Sequence, residues 1–323
     1  ADRLGGAIDS LASTAMDGVL AAQRRGRAAA TLGVLRQQAD LVVFWAVDPA
    51  ERYPRYASRY VVEPKGLAAP EGRRSRRVIA VDVGASRGPP DADARVSVAP
   101  EAEVDALGVM RAAVQGRSVG PSPPLEAAAA LAREMTTRRY VALVADGEPG
   151  TTARDPDRAE ALIALSQALN GATRCALSTL RGGGNRSGAE AVLTWQTGFP
   201  GAVDFARGYP GYRPHRGAAE LLTRREVDAA LVIGAPTTLP GPVARALAPV
   251  ATVLIGPHAS AAPFSPAVAV DTGAAGIHES GLAFRMDDVP LPLRPPLGGD
   301  GEGDAVPPSA RAVVRALRER LAP

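Results

Sequence analysis

The sequence predicts an α/β protein built from two parallel-sheet domains. Three observations carry this. Short β-branched runs alternate with Ala-rich stretches of helical spacing along most of the chain. The runs are nearly continuously apolar, as in strands buried on both faces of a parallel sheet. The 323 residues are 46% hydrophobic and 22% charged, a balance that supplies a substantial core for two domains of ordinary size.

In the first half, "LVVFW" (41–45), "RVIAVDV" (77–83), "ARVSV" (94–98), "YVALVAD" (140–146) and "TRCALSTL" (173–180) read as buried strands. Helices fall between them. In "EAEVDALGVMRAAVQG", Val104, Leu107, Met110 and Val114 recur at helical spacing, and Gly116 is a stop. "SPPLEAAAALAREM" offers Ser122 as N-cap and Pro123 at the first helical position. "DPDRAEALIALSQALNG" runs from Asp155 to Asn170-Gly171.

The second half repeats the pattern. "AVLTW" (191–195), "DAALVIGA" (228–235), "ATVLIG" (251–256) and "VAVDT" (268–272) read as strands, with a helix near 240–248. Residues 295–308 have a linker composition. "SARAVVRALRERL" then sets Val313, Val314, Leu317 and Leu321 on one stripe and four arginines elsewhere. Such a helix docks on its own domain or on a partner subunit. The expected division is 1–185, 186–294, and a linker-plus-helix segment 295–323. The opening "ADRLGGAIDS" has neither an initiator Met nor a signal-peptide pattern, so residues upstream are expected.

Composition narrows the chemistry. No apolar run approaches the ~18 residues of a membrane span. Cys175 is the one cysteine, which excludes a disulfide framework and an iron–sulfur cluster held by this chain alone. It also points to a reducing, cytoplasmic setting, and its place in an apolar run reads as an inert buried thiol. His215, His258 and His278 lack metal-ligand spacing. The formal charge is +3 and Lys65 is the only lysine. GC-biased codon usage explains the arginines; so does bidentate anion binding, and the two are compatible. No nucleic-acid-binding motif is present. No Ser, Asp or His is framed as a nucleophile and its base, and Asp287-Asp288 reads as a solvated pair.

The aromatic residues are unevenly spread. There are thirteen, and "FWAVDPAERYPRYASRY" (44–60) and "TWQTGFPGAVDFARGYPGY" (194–212) hold five each. Trp45 and Trp195 each end a predicted strand, where open parallel sheets bind ligands. "LRGGGNRSGA" (180–189) is a flexible connection or a nest of backbone N–H groups, and it matches neither a Walker loop nor a dinucleotide fingerprint.

These stretches also carry a resemblance. "DLVVFWAVDPAERYPRYASRY" resembles the W-G-x-N-P-x-x-x-x-P loop of the molybdopterin and tungstopterin oxidoreductases, and more closely the B-type subunit of formylmethanofuran dehydrogenase. "TWQTGFPGAVDFARGYPGY", "LRGGGNRSGA", "DAALVIGA" and "GPHASAAPFSPAVAVDTGAAGIHESGLAFRMDDVPLPLR" are similar to further stretches of that family, covering nearly the whole chain. The resemblance implies two α/β domains of the formate dehydrogenase-like type. It also implies that the iron–sulfur domain and the C-terminal barrel are lacking from this chain.

The departures bear on function. In the family's redox enzymes, a Cys before the first strand ligates tungsten or molybdenum, with a His beside it. The similar stretch here is "STAMDGV", with Met16 and Asp17 at those positions. A thioether is a poor substitute for a thiolate on a high-valent metal. Ala46 and Asp48 replace the Gly and Asn of W-G-x-N-P, and Gly234-Ala235-Pro236 stands where a polar G-S-D-P loop is common. The resemblance then implies a subunit without cofactor, metal or catalytic residues of its own. The closest pattern is the formyltransferase/hydrolase complex of aerobic methylotrophs, where a formyl group passes from tetrahydromethanopterin to methanofuran and is hydrolysed to formate. Implied partners are an amidohydrolase-like subunit, a formyltransferase subunit and a third, C-type subunit. The alternative is a working tungsten or molybdenum dehydrogenase subunit. Methanofuran-type carriers have polyglutamate tails. Arg52, Arg55 and Arg59 in one aromatic loop, and Arg207, Arg213 and Arg216 in the other, are candidate contacts for such a tail, or else serve local packing and subunit contacts.

Overall fold

A computed structural model describes residues 1–10, 13–118, 120, 123–147, 156–296 and 307–321. In chain order the elements begin β1 (Ala7–Ile8), α1 (Ser13–Arg25), α2 (Leu32–Gln38), β2 (Leu41–Trp45), β3 (Arg77–Val83) and β4 (Ala94–Val98). They continue α3 (Glu103–Val114), α4 (Pro123–Thr136), β5 (Tyr140–Asp146), α5 (Pro156–Leu169), β6 (Arg174–Leu180) and α6 (Arg186–Thr197). Then come β7 (Val203–Asp204), β8 (Gly211–Tyr212), α7 (Ala218–Thr223), β9 (Ala229–Ile233), α8 (Gly241–Leu247) and β10 (Ala251–Gly256). The last are β11 (Val268–Asp271), β12 (Gly281–Phe284), β13 (Pro290–Leu293) and α9 (Ala310–Arg320).

The chain forms two compact units that interleave in sequence. One comprises residues 14–182 and 286–289; the other comprises 1–13, 183–285 and 290–323.

The first unit is a five-stranded parallel sheet of order β4-β3-β2-β5-β6. All five runs read as strands in the first half form it. The apolar character of β2, β3, β5 and β6 follows from burial on both faces, whereas the expectation of a buried strand at 94–98 is corrected: β4 is the sheet edge, and its Arg95 and Ser97 are exposed. Leu41, Val43, Trp45, Leu143 and Leu177 face one way, against Ala21 of α1, Leu107 and Met110 of α3, Leu131 and Met135 of α4, and Ile163 and Leu165 of α5. Val42, Phe44, Val144 and Ala176 face the other way, against Leu32 and Leu35 of α2 and against Tyr56, Val61 and Val62 of the following loop. The predicted caps at Ser122 and Asp155 lie outside the described residues. Asn170 closes α5 as expected: its side chain donates to Ser166 O and Cys175 O, both at 2.7 Å.

The second unit holds a three-stranded parallel sheet of order β11-β10-β9, an antiparallel β12–β13 hairpin and a short β1–β7–β8 ladder. The runs at 228–235, 251–256 and 268–272 are strands, and the helix near 240–248 is α8. One reading is corrected. "AVLTW" (191–195) is not a strand but the second half of α6, so Trp195 ends no strand. Five apolar, partly β-branched residues do not distinguish strand from helix. Here Gly188, Glu190 and Leu193 form the buried stripe, and Gly198, in left-handed backbone at φ 85°, ends the helix. "LRGGGNRSGA" divides between a loop and the first turn of α6. Asn185, itself at φ 56°, donates to Leu282 O at 2.9 Å and accepts from Phe284 N at 2.8 Å, tying the loop to β12.

Candidate functional site

The place to look is the carboxyl edge of the five-stranded sheet, where β2 gives way to Trp45-Ala46-Val47-Asp48-Pro49. Trp45 is fully buried, and its indole Nε1 donates to Glu103 Oε1 at 2.6 Å. Arg158 Nε reaches the same oxygen at 2.7 Å, and its Nη1 donates to Asp146 O at 3.2 Å. The Asp146 carboxylate in turn pairs with Arg52. A Trp–Glu–Arg cluster and an Arg–Asp pair therefore link the carboxyl ends of β2 and β5 to α3 and α5.

Ala46 follows directly. Its φ is 54°, in the left-handed region that favours Gly, and its N–H donates to Val81 O at 2.8 Å. Asp48 caps the short turn Pro49–Glu51, its Oδ1 accepting from Ala50 N at 2.9 Å. Asn caps equally well, so the cap is kept with Asp here but gives no reason for Asp in place of Asn. An open cleft of about 460 Å³ lies beside this loop, lined by Asp48, Glu51, Asp82, Arg87, Gly88 and Arg95 among others. Asp82 is buried. Burial alone would raise its pKa, but the Gly88 N–H and the Arg95 guanidinium, at 2.8 and 2.9 Å, hold it below the usual carboxylate range.

The "STAMDGV" segment lies in the first turns of α1. Met16 and Asp17 are buried, with 3% and 4% exposure, and both are engaged in further contacts. As donors for tungsten or molybdenum this set does not fit: a thioether and a buried carboxylate replace the thiolate and imidazole of the resemblance. Among the described residues no three His, Cys, Asp or Glu side chains are grouped to hold a metal ion. Cys175 sits near the amino end of β6. It is roughly 13 Å along the strand from Thr179, which is in line with Trp45 through Ala145, and burial raises its pKa to about 12. His278 Nδ1 accepts from Ala274 N at 3.1 Å within its own turn.

The first aromatic stretch is a packing device. Phe44 and Tyr56 meet edge-on at 6.5 Å between ring centroids, and Tyr56 and Tyr60 at 6.4 Å. The Tyr53 hydroxyl donates to Arg181 O. Burial pushes the Tyr56 hydroxyl upward in pKa. In the second unit Phe199 stacks on Tyr212 at 5.2 Å. Trp195 touches Phe284 at 6.4 Å but is 71% exposed. Ala235 is half-buried and precedes the turn Pro236–Thr238.

The six candidate arginines are not equivalent. Arg52 holds Asp146, and Arg216 holds Glu226 at 2.9 Å and Asp204 at 3.5 Å. Among the described residues Arg55, Arg59 and Arg207 are exposed and Arg213 half-buried, without carboxylate partners. Sequence reasoning missed Glu103, Arg158, Asp82 and Arg95. Their partners are brought together only by the sheet, so no local spacing signals them.

No family model matches the chain. It is 32% identical over 306 residues to the B-type subunit of tungsten-containing formylmethanofuran dehydrogenase 2 of Methanocaldococcus jannaschii, covering 91% of this chain and 69% of that one. It is 31% identical over 288 residues to the protein of the same name in Methanococcus maripaludis, covering 85% and 65%. A similar solved structure is the formyltransferase/hydrolase complex (FhcABCD) from Methylorubrum extorquens, determined with methylofuran. One of its chains aligns at TM-score 0.77 and 23% identity over 99% of this chain and 85% of that one. The fold is thus shared with that chain, and the sequence identity places this protein in the family of formylmethanofuran dehydrogenase B-type subunits.

Proposed function

We propose that the chain is a non-catalytic structural subunit of a formyltransferase/hydrolase complex. In that complex a formyl group passes from tetrahydromethanopterin to methanofuran and is hydrolysed to formate. On this reading the units are the two α/β domains of the molybdopterin oxidoreductase type, kept without pterin or metal. The chemistry belongs to an amidohydrolase-like and a formyltransferase subunit, with a C-type subunit completing the assembly. The observation that supports it best is Met16. A buried thioether stands where the resemblance puts the metal-binding thiolate. Ala46 adds support, since the loop keeps a glycine-type backbone while carrying a methyl group. Of the candidate contacts for a polyglutamate tail, Arg55, Arg59, Arg207 and Arg213 fit best, because Arg52 and Arg216 already hold carboxylates.

One observation favours a second reading. Both sequence relatives are named as tungsten-containing dehydrogenase subunits. Elemental and pterin content of the assembly purified from its native cells separates the two. The structural-subunit reading expects tungsten and molybdenum far below one per complex and no viologen-coupled formate oxidation. Stoichiometric metal with pterin, together with that activity, would sink it.

A further inference from the structure

The sheet β11-β10-β9 has two unlike faces. Ala230 and Val232 of β9 pack with Leu222 of α7 and with Val243 and Leu247 of α8. The alternate residues of β9 point to the other face, where Leu231 lies beside Val253 and Ile233 beside Ile255. Val268 of β11 continues the first of these rows. Leu231, Ile233 and Val268 are 54%, 57% and 49% exposed. A parallel sheet is normally covered on both faces, and here Leu231 and Ile233 of β9, with Val268 of β11, are left bare on this one.

α9 also reaches this sheet, where it meets the central strand β10. The segment before it is tied down where Gly273 N donates to Pro308 O at 3.1 Å, and Ser309 caps the helix, its Oγ accepting from Ala312 N at 3.1 Å. Val313 and Val314 are half-buried, while Leu317 and Leu321 stay exposed. Arg311, Arg315, Arg318 and Arg320 are all exposed, and none has a carboxylate partner among the described residues. The only acid on the helix is Glu319.

We propose that the bare face of β9–β11 and the arginine side of α9 form one docking surface. Its occupant is a different subunit whose matching face is apolar at the centre and acidic at the rim. Three considerations select that occupant. A flexible polyanion would satisfy the arginines but leave Leu231 and Ile233 in water. A second copy docked through the same surface would set arginine against arginine across a two-fold axis. A carboxylate-rimmed apolar face satisfies both parts, as apolar cores and polar rims do in stable interfaces. The inference rests on the reading of this chain as one subunit of a hetero-oligomer.

The test uses tagged full-length chain expressed in the native cells and purified at 0.1 and 0.5 M salt. Wild type is expected to bring down stoichiometric other subunits. Arg311→Glu/Arg315→Glu/Arg318→Glu and, separately, Leu231→Gln/Ile233→Gln are expected to lower their recovery at least tenfold, with the charge variant most affected at low salt. If wild type co-purifies with no other subunit, the reading of the chain as a subunit fails. If wild type assembles and both variants assemble as tightly, the docking surface is wrong while that reading stands. Should a variant fold poorly, hydrogen exchange on the wild-type chain, isolated and assembled, decides. Residues 229–233 and 310–320 are expected to slow tenfold or more on assembly, and unchanged exchange there overturns the proposal. Binding of α9 to vesicles of 70% phosphatidylcholine and 30% phosphatidylglycerol, with no exchange change on assembly, would assign the helix to a membrane surface instead.

Discussion

At the scale of single residues, Ala46 is the most informative departure, because the backbone exposes what the side chain has changed. A residue with a Cβ in left-handed backbone bears a cost of roughly 1–2 kcal/mol. Replacing it with Gly removes that cost but returns about 0.4–1 kcal/mol of unfolded-state entropy. Ala46→Gly is therefore expected to stabilise the chain by about 0.5–1 kcal/mol, read as a rise in the urea midpoint at unchanged slope. A fall in the midpoint would mean that the methyl group contributes packing that outweighs the strain. Residue-level legibility was uneven for a physical reason. Cys175 as a buried thiol could be read from its apolar neighbours alone. Asp48 as a cap could not be separated from Asp48 as an altered ligand contact, because both uses need the same oxygen.

At the scale of elements, the carboxyl edge of the five-stranded sheet is held by a polar cluster that sequence spacing does not reveal. Glu103 Oε1 serves both the Trp45 indole and the Arg158 guanidinium. Removing one partner of a buried ion pair costs about 3–5 kcal/mol, since the other charge is left short of compensation. Glu103→Ala is expected to fall near the lower end, about 3 kcal/mol, because Arg158 also has the Asp146 carbonyl. Glu103→Ala combined with Arg158→Ala should cost less than the sum of the two single changes, as coupled neighbours do. Strictly additive effects in a denaturation cycle would show that the cluster is not a unit. β2, β3, β5 and β6 were legible because parallel strands buried on both faces become apolar runs, and β9 and β11 because their runs are apolar even where the sheet is exposed. The same rule failed at "AVLTW", where helix and strand share the run. It was silent on β12 and β13 because Pro290 and Pro292 read as coil, yet they pair with Phe284 and Leu282 at an edge.

At the scale of the whole molecule, the two units differ in how much core each owns. The five-stranded unit has extensive apolar clusters on both faces of its sheet. Among the described residues the other unit has two small ones, Leu193 with Val203 and Phe205, and Leu222 with Val243 and Leu247. Local opening free energy follows buried apolar contact, so the isolated chain should not be uniformly protected. Amides of β2, β5 and β6 are expected to exchange at least 100-fold more slowly than those of β9 and β11. At 1.36 kcal/mol per tenfold, that is a difference of about 2.7 kcal/mol in opening free energy. Hydrogen-exchange mass spectrometry of the isolated chain measures this directly, and equal protection of the two sheets would refute it. The gradient has a structural consequence. A unit with a thin core and an exposed sheet face gains most from a surface supplied by another chain, whereas the five-stranded unit already encloses its own.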